Sequence, residues 1–190
     1  VWLNDVRDDV LAKALSLIAS NLQTQVELGM VAKDQPAAIL KRIRTTTRVD
    51  EAGANADFVI EAVVEDAGVK KDVFRKLDQA CPPHAILASN TSYMDIFKFV
   101  ETKRPGQVLI THWFAPPHIV PLVEIVPGPE TVPETVDVIK ALMVKLGKTP
   151  IVLSKFLPGF IANRLQSALG REVLFLLENG YASAEDIDEA

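Results

Sequence analysis

The stretch VLITHWFAPPHIVPLVEIV, residues 108–126, decides how the chain folds and where its chemistry sits. Val108 to Ile110 has the apolar, β-branched content of a buried strand, and the prolines at 116, 117 and 121 break any helix that would follow. The chain must therefore loop out and return. Leu122 to Val126 reads as a second short extended run, so Glu124 lies in an apolar segment with few routes to solvent. A charge there needs a partner. His112 is the candidate: a carboxylate on one ring nitrogen fixes the tautomer and stabilises the imidazolium, leaving the other nitrogen to take a proton from a substrate. The alternative is a core histidine satisfied by a backbone carbonyl, with Glu124 at a solvated strand end.

At 190 residues, 48% hydrophobic and 24% charged, the chain has the composition of a globular protein with one substantial domain plus a helical extension. A net charge of −5, with no long run of Lys or Arg, excludes the concentrated basic surface that nucleic-acid binding needs. The single cysteine, Cys81, rules out an internal disulfide and fits a reducing compartment, cytoplasmic or similar. Histidines 84, 112 and 118 show no metal-ligand spacing, so no metal is expected. No apolar run is long enough to cross a bilayer as a helix, and no signal peptide is present, so no membrane association is expected. Val1 to Leu3 already reads as a strand and AEDIDEA, residues 184–190, as a helix just begun; the chain is read as a fragment.

Around the central stretch, strands and helices alternate. VWLNDV is a strand ending in Asp5, followed by a helix with Leu11, Leu15, Ile18 and Leu22 on one face, up to Gly29. A strand-end acid is either a helix N-cap or, in a nucleotide-binding doubly wound fold, the acceptor for ribose hydroxyls about 20 residues after a glycine fingerprint. That fingerprint would precede Val1. A loop and short helix over residues 30–42 lead to a modest strand at Ile43 to Val49. ADFVIEAVVED, residues 56–66, is a stronger strand running into a helix, with Glu61, Glu65 and Lys70 at the junction; a surface ion pair is the simplest reading of the last two. Pro82-Pro83 ends that helix. LASNTS, inside the strand 85–92, delivers Ser92 to the ligand edge of an open α/β sheet or to a turn capping a helix from Met94.

Thr131 and Glu134 have capping-box spacing ahead of a helix with Val136, Ile139, Met143 and Leu146 in a stripe, and TPIVL is a last strand. Pro158-Gly159 then opens a long helix carrying Asn163, with Ile161, Leu165, Leu169, Val173 and Leu176 expected to face inward and Asn179-Gly180 as its stop; Ser183 and Asp186 start another. The change to purely helical patterning divides the chain into residues 1–155, an α/β domain, and 156–190, the start of a helical one.

In ordered pieces over nearly its whole length the chain resembles the L-3-hydroxyacyl-CoA dehydrogenases: VWLND, ADFVIEAVVED with Lys70, LASNTS, HWFAPP, PLVEIV and PGFIANRL. The resemblance implies a Rossmann-like doubly wound, mostly parallel sheet, here lacking its first strand, followed by a helical dimerisation domain. It implies NAD as cofactor, a homodimer when complete, and oxidation of the substrate 3-hydroxyl with His112 as general base supported by Glu124. Ser92 and Asn163 match the polar groups around the reacting oxygen; Asp5 matches the ribose acceptor, and Glu65, Lys70 and Ser92 line the cofactor site.

Three departures stand out. The glycine-rich loop and first strand are absent. Ala115 replaces the usual Asn of the histidine motif, with loss of one amide near the nicotinamide. APPHIVPLVE and NRLQ stand closer to the branch with lambda-crystallin-like gulonate dehydrogenase and carnitine dehydrogenase, and the short segment between Gly29 and Ile43 carries no CoA-contacting positions across. Two other functions therefore stay open: the same chemistry on a free short hydroxy acid, and a nucleotide-binding or structural protein without turnover.

Overall fold

A computed structural model describes all residues, Val1–Ala190. Strand β1 (Trp2–Asn4) leads into helix α1 (Asp8–Glu27), α2 (Pro36–Leu40), β2 (Arg44–Thr46), α3 (Val49–Gly53), β3 (Phe58–Glu61), α4 (Ala67–Ala80) and β4 (Ile86–Ser89). Then come β5 (Val108–Trp113), β6 (Leu122–Pro127), α5 (Pro133–Lys145), β7 (Thr149–Val152), α6 (Ala162–Glu178) and α7 (Ala184–Glu189). β1 and β2 form a parallel pair of their own, and the main sheet has the order β3-β4-β5-β6-β7. Strands β3, β4 and β5 are parallel; β6 turns back antiparallel to β5 and β7 runs parallel to β6.

Helices cover both faces of the main sheet, which is why its central strands are apolar on both sides. On one face Phe74, Leu77 and Cys81 of α4 and its end pack on Leu87, Val108, Ile110 and Val126. On the other, Ile139 and Met143 of α5 pack on Ile86, Ala88, Leu109, Val123 and Ile125. The alternation of Leu87 with Ile86 and Ala88, and of Val108 and Ile110 with Leu109, is the two-residue period of a strand read by two cores. α4 starts at Asp66, whose carboxylate accepts the Val69 N–H at 2.8 Å, and stops at Cys81 before Pro82.

Three local expectations are corrected. No α-helix starts at Met94: the segment makes only a 3₁₀ turn at Ile96–Lys98, because Ile96 is fully buried while Met94, Phe97, Phe99 and Val100 all press on the same core, more faces than one amphipathic helix presents. Thr131 is not a cap. α5 begins after Val132 with Pro133 in its first turn, and the Thr131 hydroxyl instead donates to the Val108 carbonyl at 2.5 Å and accepts the Gly128 N–H at 2.7 Å. The apolar stripe of α6 does not face inward: Leu165 and Leu169 are 67% and 68% exposed, Ile161 is exposed, and Val173 and Leu176 are half-buried, since nothing in these residues packs over that face. The stop at Asn179 and the capping box of Ser183 with Asp186 form as expected.

Candidate active site

The antiparallel return of β6 sets His112 directly opposite Glu124 in the strand register, so both side chains lie on one face of the sheet. His112 is 4% exposed and Glu124 fully buried, and imidazole Nδ1 lies 2.8 Å from carboxylate Oε2. An ionised carboxylate only accepts, so Nδ1 carries the proton and Nε2 is the free nitrogen. The second oxygen, Oε1, accepts the backbone N–H groups of Ile161 at 2.9 Å and Ala162 at 3.0 Å. Both carboxylate oxygens are thereby satisfied in a buried setting where an unpaired charge would cost several kcal/mol.

The turn before α6 makes that possible. Gly159 and Phe160 both take positive φ, 74° and 47°, and for the buried phenylalanine this is the rarely populated left-handed region. The bend swings the next two N–H groups onto Glu124 and sets the Phe160 ring 5.1 Å from the imidazole at a tilt of 53°, with Phe114 at 4.6 Å in edge contact. The imidazole is thus fixed by a carboxylate at one nitrogen and walled by two aromatic rings.

A second polar cluster stands at the carboxyl ends of β3 and β4, the edge where open α/β sheets bind ligands. Lys70 is 1% exposed, so the expected surface ion pair is corrected: its ammonium lies 2.8 Å from Glu61 Oε1 and 3.1 Å from Glu65 Oε2, at the end of an α4 face turned to the sheet. Glu61 also accepts the Ser89 hydroxyl at 2.6 Å and the Val63 N–H at 2.7 Å. Glu65 Oε1 accepts the Thr91 hydroxyl at 2.7 Å and the Ser92 N–H at 2.8 Å. Partial burial pushes the Glu65 carboxyl up, but the Thr91 hydroxyl, the Ser92 N–H and the Lys70 ammonium together hold it below the ordinary range. Ser92 is positioned through its backbone, which leaves its hydroxyl for a ligand. Asn90 ties this loop to the histidine strand, its Oδ1 accepting the Trp113 N–H at 2.9 Å.

The remaining sequence candidates sit further out. Asn163, half-buried in the first turn of α6, lines a cavity with Tyr93, the neighbour of Ser92. Asp5 lies at the end of β1 in the separate two-stranded sheet and makes no hydrogen bond or ion pair with the residues above. It is not the N-cap of α1, which is Arg7; its carboxylate accepts the Arg7 N–H at 3.0 Å across the bend. Glu61, Ser89, Thr91, Asn90 and Phe160 were not singled out as site residues from sequence. The signal that points to Glu61 is a carboxylate inside an apolar strand with a lysine nine positions on, reached by the first turns of α4.

Residues 1–156 match the family model "3-hydroxyacyl-CoA dehydrogenase, NAD binding domain", and residues 159–190 match the C-terminal domain of the same family. A 3-hydroxybutyryl-CoA dehydrogenase of Clostridioides difficile is 37% identical over 191 residues, an alignment that takes in 100% of this chain and 67% of that protein. An L-carnitine dehydrogenase of Streptomyces griseus is 37% identical over 97% of this chain and 54% of its own length. The crystal structure of (S)-3-hydroxybutyryl-CoA dehydrogenase from Ralstonia eutropha superimposes with a TM-score of 0.91 at 32% identity, covering 100% of this chain and 66% of that one. The chain thus spans from about half to two thirds of the length of the relatives it matches. On the family match over residues 1–156 and 159–190, the chain belongs to the 3-hydroxyacyl-CoA dehydrogenase family.

Proposed function

We propose that the protein is an NAD-dependent dehydrogenase that oxidises the 3-hydroxyl of a 3-hydroxyacyl compound to the 3-oxo product. The single observation that carries this reading is the His112–Glu124 pair, buried, with the carboxylate fully hydrogen-bonded and Nε2 left free. Nε2 takes the hydroxyl proton as the O–H bond breaks, and Glu124 balances the imidazolium that results. The carbon–hydrogen bond breaks with its electron pair, and NAD, when bound, is the acceptor of that hydride. Ser92 and Asn163 hold the reacting oxygen in this scheme. The cluster of Glu65, Lys70 and Ser92 fits a nicotinamide ribose, since the Ser92 hydroxyl and the half-exposed Glu65 carboxylate stand at the carboxyl ends of parallel strands, with the buried Lys70 ammonium holding Glu65 in place.

Asp5 is assigned to the adenosine ribose of NAD, on the strength of its place at the tip of a parallel strand. Asp5→Ala is expected to weaken NAD binding and to narrow the preference for NAD over NADP, because the carboxylate that repels a 2′-phosphate is gone. Titration of both cofactors checks this, and an unchanged ratio of affinities would reduce Asp5 to a partner of the Arg7 N–H.

The division near residue 156 belongs to the same reading, supported by the separate matches of residues 1–156 and 159–190, and a homodimer is what the family resemblance implies. No helix is long and apolar enough to cross a membrane. The relatives divide on the substrate: the names 3-hydroxybutyryl-CoA dehydrogenase and L-carnitine dehydrogenase cover a thioester and a free acid. The direct test is NADH formation by the purified protein with an L-3-hydroxyacyl-CoA such as 3-hydroxybutyryl-CoA, and with 3-hydroxybutyrate. Oxidation of neither, in a preparation that binds NAD, would leave a nucleotide-binding protein without turnover.

A further inference from the structure

The pairing of β4 with β5 runs from Leu87 with Val108 to Ser89 with Ile110 and goes no further. Ser92 and His112 both stand beyond those last paired residues, so the strand ladder does not set one against the other. Each is anchored on its own side. The Glu124 carboxylate and the antiparallel pairing with β6 hold His112. Glu65 accepts the Ser92 N–H and the Thr91 hydroxyl; Thr91 in turn donates its N–H to Ser89 Oγ at 3.2 Å and accepts the Met94 N–H at 2.9 Å. Past the end of the ladder, a single hydrogen bond joins the two segments: the Trp113 N–H donates to Asn90 Oδ1 at 2.9 Å. Trp113 directly follows His112, and only Thr91 separates Asn90 from Ser92.

We infer that Asn90 is a positioning residue for the dehydrogenase reaction, its side-chain oxygen setting the Ser92 loop against the strand that carries His112. The inference rests on the dehydrogenase reading above and adds a residue to it. Where β4 stops offering carbonyls to β5, Asn90 offers one from its side chain, since an amide oxygen accepts a hydrogen bond as a peptide oxygen does. Its own backbone N–H goes the other way, to the Glu61 carbonyl at 2.7 Å, which pins the residue between β3 and β5. Its neighbours Ser89 and Thr91 are buried, so the loop has little room to shift around it. Only the amide oxygen is engaged; the amide nitrogen makes no hydrogen bond within the chain. A base takes a hydroxyl proton only from within hydrogen-bond reach, while a second group holds the same oxygen. Drift between the two segments therefore slows the reaction without loosening the cofactor.

The test follows Asn90→Ala and Asn90→Asp, with NAD and whichever of 3-hydroxybutyryl-CoA and 3-hydroxybutyrate the wild type oxidises. Asn90→Ala removes the acceptor. Its kcat and kcat/KM are expected to fall together by about 10²-fold, the scale of a small misplacement of reacting groups, while the Kd for NAD stays within a few fold. Asn90→Asp keeps an oxygen for the Trp113 N–H and should return turnover to within about tenfold of wild type. Turnover near wild type in Asn90→Ala would overturn the inference. Equal losses in both variants would overturn it too, because they would place the amide nitrogen on a ligand, and so would an NAD affinity that falls in step with kcat. Should Asn90→Ala fail to fold, Asn90→Asp decides alone: turnover near wild type supports the oxygen-only role, and a loss of about 10²-fold sinks it. Hydrogen exchange at the Trp113 amide separates this failure from that of the parent reading. If the wild type itself shows no turnover, faster exchange in Asn90→Ala but not in Asn90→Asp keeps the tie and removes the dehydrogenase, whereas unchanged exchange removes the tie.

Discussion

His112→Gln is expected to lower turnover by about 10²–10⁴ while NAD affinity stays within a few fold. The amide keeps much of the ring's bulk and can still donate a hydrogen bond to Glu124 Oε2, so the buried carboxylate keeps a donor beside the Ile161 and Ala162 N–H groups. What disappears is a nitrogen able to accept the hydroxyl proton. The groups assigned to the cofactor, Asp5, Glu65, Lys70 and Ser92, stand on other elements and are untouched. Single-turnover NADH formation reads the first effect and cofactor titration the second. Turnover near wild type would remove His112 from the mechanism, and a parallel collapse of NAD binding would mean that the substitution had damaged the fold instead.

Lys70→Met carries the largest expected loss of stability. It leaves Glu61, whose side chain is wholly buried, with an uncompensated charge among the core residues of β3, β4 and α4. Breaking a buried pair from one side costs about 3–5 kcal/mol, whereas replacing both members by apolar groups of similar volume is often neutral or stabilising. Glu61→Leu combined with Lys70→Met should therefore recover part of the denaturation midpoint that Lys70→Met loses, the shortfall coming from the Ser89 hydroxyl and Val63 N–H left without their acceptor. The double variant should still bind NAD poorly, because Glu65 has lost the ammonium that steadies it and Ser92 hangs from Glu65. A double variant as unstable as the single one would show that the pair itself stabilises the fold; full NAD affinity in the double variant would detach Lys70 from the cofactor.

Where local pattern fixes the outcome, these features are legible in the sequence. The pairing of His112 with Glu124 is one of two readings that an apolar strand, a proline-broken loop and a second apolar strand allow, and the antiparallel register, with the burial of both side chains, decides for it over a solvated strand end. The clustering of Ser92 with Glu65 is legible only through the family resemblance, since the strand pattern alone leaves Ser92 between a ligand edge and a helix cap. What escaped depends on geometry that no spacing encodes. The positive φ of Phe160 and the two N–H groups it delivers to Glu124 arise in a turn whose residues look like an ordinary helix start. The burial of Lys70 is not legible, because an Asp/Glu-rich helix entrance looks solvated until the helix is laid on the sheet. The inward reading of Leu165 and Leu169 failed for the opposite reason: periodicity shows that a face is apolar but not what covers it.

The antiparallel turn-back at β6 has a kinetic consequence. In a fully parallel sheet, residues facing each other on neighbouring strands are separated by a whole crossover, and their meeting waits for helices to dock. Here the acid and base lie only 12 positions apart, in a single hairpin. Hairpins close on the order of 1–10 μs, long before the parallel strands are in place. The His112–Glu124 register is therefore expected to form early and locally, with the turn before α6 completing the hydrogen bonds of the carboxylate afterwards. Lengthening the 116–121 loop by a few flexible residues should slow the first step slightly, since closure entropy grows only with the logarithm of loop length. Sliding β6 by one residue would turn Glu124 to the opposite face of the sheet, and the chain would then fold around a histidine with no counter-ion.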